Sequence, residues 1–322
     1  MKNLSLSELV EELRKLSTVI VAAHISPDAD AVGSSVGLAK GLIALGCNAK
    51  VYLHDLVPSR LKVFAEGVEI LHQIPNEKFD AAIIVDTASK KRVGKDVEAF
   101  LSLGKQTFNI DHHVSNDGWA ENNHIQASAA ASAVIVFKIL ENLKLTLTPE
   151  IANLLYAGLL DDTGRFCFSN TNAEALEVAS ELVRAGALPS FVSKQLYGSM
   201  PLKLLQLKAH AISKLKFYHN NRIATLSVLE QELGQYAAKP EDTDGLVELV
   251  RSIEGVEVAV FQREISDGWK FSLRSKDDNI DLNVIAGYFG GGGHKAAAGC
   301  KLVGSAEETE EKVLEKIIAA LN

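Results

Sequence analysis

The residues best suited to chemistry are carboxylates and imidazoles placed just after predicted strands. His24, Asp28 and Asp30 follow Thr18-Val19-Ile20-Val21-Ala22-Ala23. Asp86 follows Asp80-Ala81-Ala82-Ile83-Ile84-Val85, and Asp111, His112 and His113 follow Gln106-Thr107-Phe108-Asn109-Ile110. Asp162 sits just past a predicted helix, running to about Leu160, that should return to the same edge. One such Asp is ordinarily a helix cap or a turn residue. Several carboxylates and imidazoles at one end of one sheet would repel or stay unsatisfied unless cations joined them. Mixed Asp and His ligation without thiolate suits Mn²⁺ or Mg²⁺, and less exclusively Zn²⁺ or Fe²⁺. Asp-rich sites that hold two ions about 3.5–4 Å apart serve phosphoester cleavage, so the residues point to a two-metal hydrolase.

The elements that must position these groups alternate. Strands are predicted over residues 18–23, 49–53, 80–85 and 106–110, with helical stretches from Ala31, over Ser59–Leu71 and over Val93–Leu103. That alternation is the mark of a doubly wound, mainly parallel α/β sheet, in which ligands bind at the carboxyl ends of the strands. Met1–Val10 reads as an amphipathic helix and Ala127–Leu143 as a long helix. Thr148 and Pro149 start a helix that delivers Asp162, and Asn172 caps another that ends at Gly186.

The character changes after residue 186. A helical linker over 187–214 leads to hairpin signals at Asn220-Asn221 and Ser266-Asp267-Gly268, with a helix over Asp242–Ile253 between them. A glycine run and a final helix, Ala306–Leu321, complete a smaller α+β domain with a mixed sheet over 215–322. The catalytic domain is then 1–186. A chain of 322 residues is too long for one ordinary core, which agrees with two domains.

Composition narrows the classes. A net charge of −8 argues against a basic face for duplex nucleic acid, but not against a phosphorylated substrate, because bound cations reverse the sign of an acidic site. Cys47, Cys167 and Cys300 are odd in number and far apart, which fits neither a disulfide framework nor a thiolate metal site. No run is long enough to span a bilayer, and the first residues lack the features of a signal peptide, so a cytoplasmic location is expected.

Four ordered motifs now carry a resemblance: His24-x-x-Pro27-Asp28-x-Asp30, Asp86, Asp111-His112-His113, and Gly158-x-x-x-Asp162-Thr163-Gly164. They resemble those of the DHH phosphoesterases, which include RecJ-type exonucleases, family II pyrophosphatases and the oligoribonuclease (nanoRNase)/pAp-phosphatase group. Gly290-Gly291-Gly292-Gly293-His294-x-x-Ala297-Ala298-Gly299 resembles the glycine motif of the DHH-associated C-terminal domain. The resemblance implies that His24, Asp28 and Asp86 hold one divalent ion. Asp30, Asp86, His112 and Asp162 would hold the second, with Asp86 shared. The ions are expected to be Mn²⁺, with Mg²⁺ the alternative. Asp86 and His112 thus belong to the catalytic set together with His113, which would lie near the scissile phosphate, with Asp111 orienting an imidazole. A water bridging the ions would attack phosphorus. Relatives often carry a polar or acidic residue in the small-residue segment after the third motif, where this chain has Ser128-Ala129-Ala130-Ala131-Ser132.

For substrate the expectations are these. Bare backbone at Gly291, Gly292 and Gly293, with His294, suits close approach to a phosphate or base. Arg274 matches an arginine that grips phosphate in the family. Arg165 serves a similar role or neutralises the Asp cluster. The two-domain layout implies short single-stranded oligonucleotides or dinucleotides such as pApA, and pAp, held between the domains. A pyrophosphatase or exopolyphosphatase is the alternative, and a non-catalytic nucleotide-binding protein a further one. No obligate protein partner is indicated, and a homodimer is left open.

Overall fold

In the computed structural model, the β-branched run after Ser17 becomes the second strand of a parallel sheet. The structure describes residues 1–243, 245–277 and 279–321, with only the backbone of Glu241. The chain divides into two compact units, Met1–Ser199 and Met200–Asn322. The connector expected over 187–214 is divided between them.

The first unit holds seven strands: β1 (Lys2–Asn3), β2 (Thr18–Ala22), β3 (Asn48–Tyr52), β4 (Ile70–Leu71), β5 (Phe79–Val85), β6 (Gly104–Asp111) and β7 (Asn122–Ile125). Their order is β1-β7-β6-β5-β2-β3-β4, and every neighbouring pair is parallel. Its helices are α1 (Leu6–Leu13), α2 (Ala29–Ala44), α3 (Val97–Leu101), α4 (Ser132–Asn142), α5 (Pro149–Asp162), α6 (Ala173–Arg184) and α7 (Pro189–Tyr197). Alternate residues of β2 enter different layers. Val19 and Val21 pack in the core of α2, α4 and α5, whereas Ile20 and Ala22 pack with Tyr52 and Phe100 on the opposite face. Both faces are covered, which is why the strand reads as an unbroken apolar run.

Glycines set the spacing of α2 against α5. A Cβ on Gly33 would lie 2.5 Å from the Leu154 carbonyl oxygen, and one on Gly158 would lie 2.6 Å from Asp30 Oδ1. The start of α2 therefore meets the end of α5, and this brings Asp30 towards Asp162. Thr148 and Asn172 cap α5 and α6 through their side chains, as the sequence indicates.

Several boundaries differ from expectation. The first residues are not one helix: Lys2 and Leu4 donate to the Glu121 and Asn123 carbonyls, and α1 starts only after the Ser5–Glu8 capping box. Ser59–Leu71 forms a 3-10 turn over Ser59–Phe64 and then β4, with Gly67 at φ +80° between them. Val93–Leu103 contains only the short α3, because Gly94 at φ +138° stops the 3-10 turn Lys90–Val93. The helix expected over Ala127–Leu143 begins at Ser132, where the Asp30 carboxylate receives its first amides.

The second unit contains α8 (Leu202–Ile212), β8 (Lys216–Tyr218), β9 (Ile223–Val228), α9 (Glu230–Gln235), α10 (Leu246–Ser252), β10 (Val258–Ile265), β11 (Gly268–Ser275), α11 (Leu282–Gly287), β12 (Gly292–His294), β13 (Ala297–Leu302) and α12 (Ala306–Leu321). Its sheet order is β12-β13-β11-β10-β9-β8, mixed because only β9 and β10 run parallel. Both expected hairpins form. Of the helix expected over Asp242–Ile253, a 3-10 turn (Pro240–Thr243) and α10 are present, and Asp244 lies outside the described residues. Among the described residues, no helix is long and apolar enough to cross a membrane.

Candidate metal centre

Strand order decides where the chemistry collects. From β2 the chain winds outward to β3 and β4, while from β5 it winds the other way to β6 and β7. The reversal between β2 and β5 opens a crevice at their carboxyl ends. His24 follows β2, Asp86 follows β5, and Asp111-His112-His113 stands at the end of β6.

One set of groups gathers around His24. Its Nε2 lies 3.4 Å from Asp86 Oδ2 and 3.5 Å from Asp28 Oδ2. Its Nδ1 is 2.8 Å from the Ile25 carbonyl oxygen, so Nδ1–H donates there and Nε2 is the nitrogen with a lone pair for a cation. Asp28 is also the N-cap of α2, since Oδ1 accepts from the amides of Asp30 and Ala31. A second set gathers around His112. Its Nε2 lies 3.5 Å from Asp86 Oδ1 and 3.3 Å from Asp162 Oδ2, and its Nδ1 faces the Ala129 carbonyl at 3.3 Å. Asp30 belongs to this set, with both oxygens bonded to the amides of Ser132 (2.6 Å) and Ala133 (2.9 Å).

Asp86 lies between the two sets and offers one oxygen to each. It is buried, and its φ of +52° is a left-handed conformation that costs a non-glycine residue on the order of 1–3 kcal/mol. Ser132 Oγ donates to its Oδ1 at 3.1 Å. Ligand atoms of His24/Asp28/Asp86 and of Asp30/His112/Asp162 each lie within 4.8 Å of one another, so each set can hold a metal ion. His113 is tied differently. Its Nδ1 donates to Asp111 Oδ1 at 2.7 Å, and Asn116 Nδ2 donates to Asp111 Oδ2 at 2.6 Å. Asp111 thus orients the His113 ring from behind.

The electrostatics follow from the crowding of buried carboxylates and imidazoles. Burial alone would raise Asp86, yet hydrogen bonds from His112 and His24 hold it well below the usual carboxylate range. Burial would depress His24 and His112, but Asp28, Asp86 and Asp162 carry both well above the ordinary imidazole value. Burial, reinforced by Asp86 and Asp162, pushes Asp30 well up. Burial likewise pushes Asp162 up to about 7, Asp86 adding to the rise and His112 opposing it. Asp162 also sits at the carboxylate-disfavouring end of α5. A hard divalent cation with oxygen and imidazole ligands fits this donor set.

The remaining sequence candidates are placed as follows. Arg165 lies just past α5 at φ +63°, with its guanidinium 4.9 Å over the Tyr197 ring. Arg274, on β11, donates to Glu248 Oε1 at 2.7 Å. In the glycine run, Gly290 has φ +71°, while a Cβ on Gly291 would meet the Gly299 carbonyl at 2.2 Å and one on Gly293 the Ala297 carbonyl at 2.4 Å. Strand β13 therefore requires glycine at 291 and 293, whereas Gly292 has only Asn283 Oδ1 near, at 3.5 Å. His294 ends β12 and is exposed. Three residues near the cluster escaped sequence reasoning: Ser132 on Asp86, Asn116 on Asp111, and Arg92, whose Nη2 lies 3.2 Å from His24 Nδ1. For Arg92 the signal was present as a basic triplet, Lys90-Lys91-Arg92, shortly after Asp86 in an acidic chain.

Comparison with known proteins agrees with this geometry. The family model for the DHH family, N-terminal domain, matches residues 18–159, and that for the DHHA1 domain matches 220–322. The chain is 34% identical over 316 residues to the bifunctional oligoribonuclease and PAP phosphatase NrnA of Thermus thermophilus, covering 96% of this chain and 92% of the relative. It is 28% identical to the Bacillus subtilis protein of the same name, covering 92% and 93%. Among solved structures, an exopolyphosphatase-related protein from Bacteroides fragilis superposes with a TM-score of 0.90 at 23% identity, covering 98% of this chain and 97% of that one. RecJ of Thermus thermophilus in complex with Mn²⁺ gives 0.58 at 16% identity, covering 96% and 53%. With its acidic cluster at the sheet's switch point and its matches in both units, the chain belongs to the DHH phosphoesterase family of hydrolases and pairs a DHH domain with a DHHA1 domain.

Proposed function

We propose that this phosphoesterase hydrolyses short oligonucleotides and linear dinucleotides such as pApA to mononucleotides, and pAp to AMP, with two divalent ions, Mn²⁺ by preference. The observation that carries the reading is the sharing of Asp86: one buried carboxylate faces two separate ligand sets, His24/Asp28 and Asp30/His112/Asp162. The names of the Thermus thermophilus and Bacillus subtilis relatives support the substrate class. Bound ions would supply a hydroxide-forming water and neutralise the oxygens of the transition state.

The protein's own part is orientation and proton placement. The Ile25 and Ala129 carbonyls hold His24 and His112 in the tautomer that leaves Nε2 for a cation. Asp111 accepts from His113 Nδ1–H, and it is the doubly protonated ring, with its Nε2–H, that would donate to the leaving oxygen of a substrate phosphate. In this reading Arg165, Arg274, Gly291, Gly292, Gly293 and His294 serve the rest of the nucleotide. Arg274 must then exchange Glu248 for phosphate.

The test is hydrolysis of pApA, pAp and pyrophosphate by the purified protein with Mn²⁺. Turnover of pApA and pAp well above pyrophosphate is the expected result. A clear preference for pyrophosphate would replace this reading with the pyrophosphatase one.

A further inference from the structure

We propose that Arg92 binds a substrate phosphate next to the one being hydrolysed, and so selects nucleotides that carry a second phosphate. The inference rests on the reading of the substrate as a short phosphorylated nucleotide.

Arg92 belongs to the 3-10 turn Lys90–Val93 that follows Asp86. Its backbone carbonyl accepts from the Ile25 amide at 2.7 Å, which fixes the turn beside the His24 loop. Its Nη2 lies 3.2 Å from His24 Nδ1. That nitrogen already donates to Ile25, so it offers the guanidinium no lone pair. If Arg92 did donate to Nδ1, the ring proton would move to Nε2 and His24 could not ligate a cation. A role in holding His24 therefore conflicts with the geometry of the cluster. Among the described residues, no carboxylate pairs with Arg92, whereas neighbouring Lys90 has Glu98 at 2.8 Å. An exposed guanidinium without an anion, against a residue of the metal cluster, is suited to an anion that arrives with the substrate. Phosphate matches its planar fork.

Position narrows which phosphate. His24 turns Nε2 to the cluster, and Nδ1 is on the other side of the ring. The guanidinium thus stands one imidazole outside the reacting centre. It reaches the neighbouring phosphate of a nucleotide rather than the phosphorus under attack.

The experiment compares pApA with ApA, which lacks the 5′-phosphate, on the Mn²⁺-loaded full-length chain and its Arg92→Ala and Arg92→Lys variants. Arg92→Ala should lower kcat/KM for pApA about 10- to 150-fold, the range for a lost charge-assisted hydrogen bond, chiefly through KM. On ApA it should stay within about twofold of wild type, and Mn²⁺ binding should not change. Arg92→Lys, which keeps the charge, should recover part of the loss. Equal losses on both dinucleotides, or weakened Mn²⁺ binding, would mean that Arg92 acts through His24 or the fold and would overturn the inference. So would unchanged kinetics on pApA. A wild-type chain inert on both dinucleotides but active on pyrophosphate would refute the substrate reading itself, and this inference with it.

Discussion

Gly158→Ala puts one methyl group between the fold and the metal centre. The new Cβ would lie 2.6 Å from Asp30 Oδ1, 3.1 Å from Asp30 Cα and 3.0 Å from the Ala133 Cβ. None of these atoms is the free end of a flexible chain. Asp30 is clamped by the amides of Ser132 and Ala133, and leaving them would break two charge-assisted bonds worth roughly 1.5–3 kcal/mol each. The helices must separate instead. Overpacking of this kind costs about 1–3 kcal/mol. Alanine returns about 0.8–1 kcal/mol through helix propensity, so the net loss is roughly 0–2 kcal/mol. For a unit of this size that lowers the melting temperature by at most about 8 °C. Function should suffer more, because displacement of Asp30 relative to Asp162 by about 1 Å costs on the order of 100-fold in rate. Calorimetric titration with Mn²⁺ should show the ion of the Asp30/His112/Asp162 set weakened or lost while the chain still melts cooperatively. Gly37→Ala is the control: its Cβ meets the Leu155 side chain at 2.9 Å, away from any ligand candidate. Wild-type Mn²⁺ binding and turnover in Gly158→Ala would refute the argument that the α2–α5 spacing sets the second set of ligands.

Asp86→Asn removes charge from both sets at once. Hydrolysis should fall by about a thousandfold or more, with Mn²⁺ binding lost at both positions; loss of one ion alone would contradict the shared role. Asp111→Asn leaves both ligand sets intact but releases the His113 ring, so kcat should drop about 10- to 100-fold with Mn²⁺ binding retained. The pH dependence of the metal-free protein has a definite sign. His24 and His112 titrate above their ordinary 6.5, and Asp162 near about 7 instead of 3.8, so the folded chain binds more protons than the unfolded one from about pH 4 upward. Asp28 and Asp86, shifted downward, act in the opposite sense only below about pH 4. Stability of the chelated protein should therefore fall between about pH 5 and 8, and saturating Mn²⁺ should remove or reverse that slope. A melting temperature that rises across this range without metal would count against the cluster as described.

Legibility in the sequence followed the strength of the local signal. Strands β2 and β5 are apolar runs buried on both faces, and β6 is buried from Phe108 onward, so the residues ending these strands were readable. Strand β7 was not. Asn122-Asn123-His124-Ile125 has little strand propensity and is held by its neighbours, Asn123 Nδ2 donating to the Ala120 carbonyl at 2.8 Å. The start of α4 was misjudged because nothing near Ser132 in sequence marks it; its cap is Asp30, 102 residues earlier. Groups that stand beside the cluster were hidden likewise. Ser132 lies 46 residues from Asp86, and Arg92 68 from His24, and no spacing rule connects either pair.

A lone Asp after a strand is read either as a helix cap or as a metal ligand, and in this chain the alternative dissolves. Asp28 gives one oxygen to the amides of α2 and turns the other to His24. Asp30 receives the first amides of α4 while standing in the His112 set. His24 and His112 each direct one nitrogen to a backbone carbonyl and the other to Asp86. The bonds that begin α2 and α4 are thus the bonds that aim the ligand candidates. A capping carboxylate is already partly desolvated and held rigid, so little further ordering is needed when a cation arrives. Asp86 caps no helix; it faces both sets from a left-handed backbone, φ +52°, which the surrounding structure holds in place.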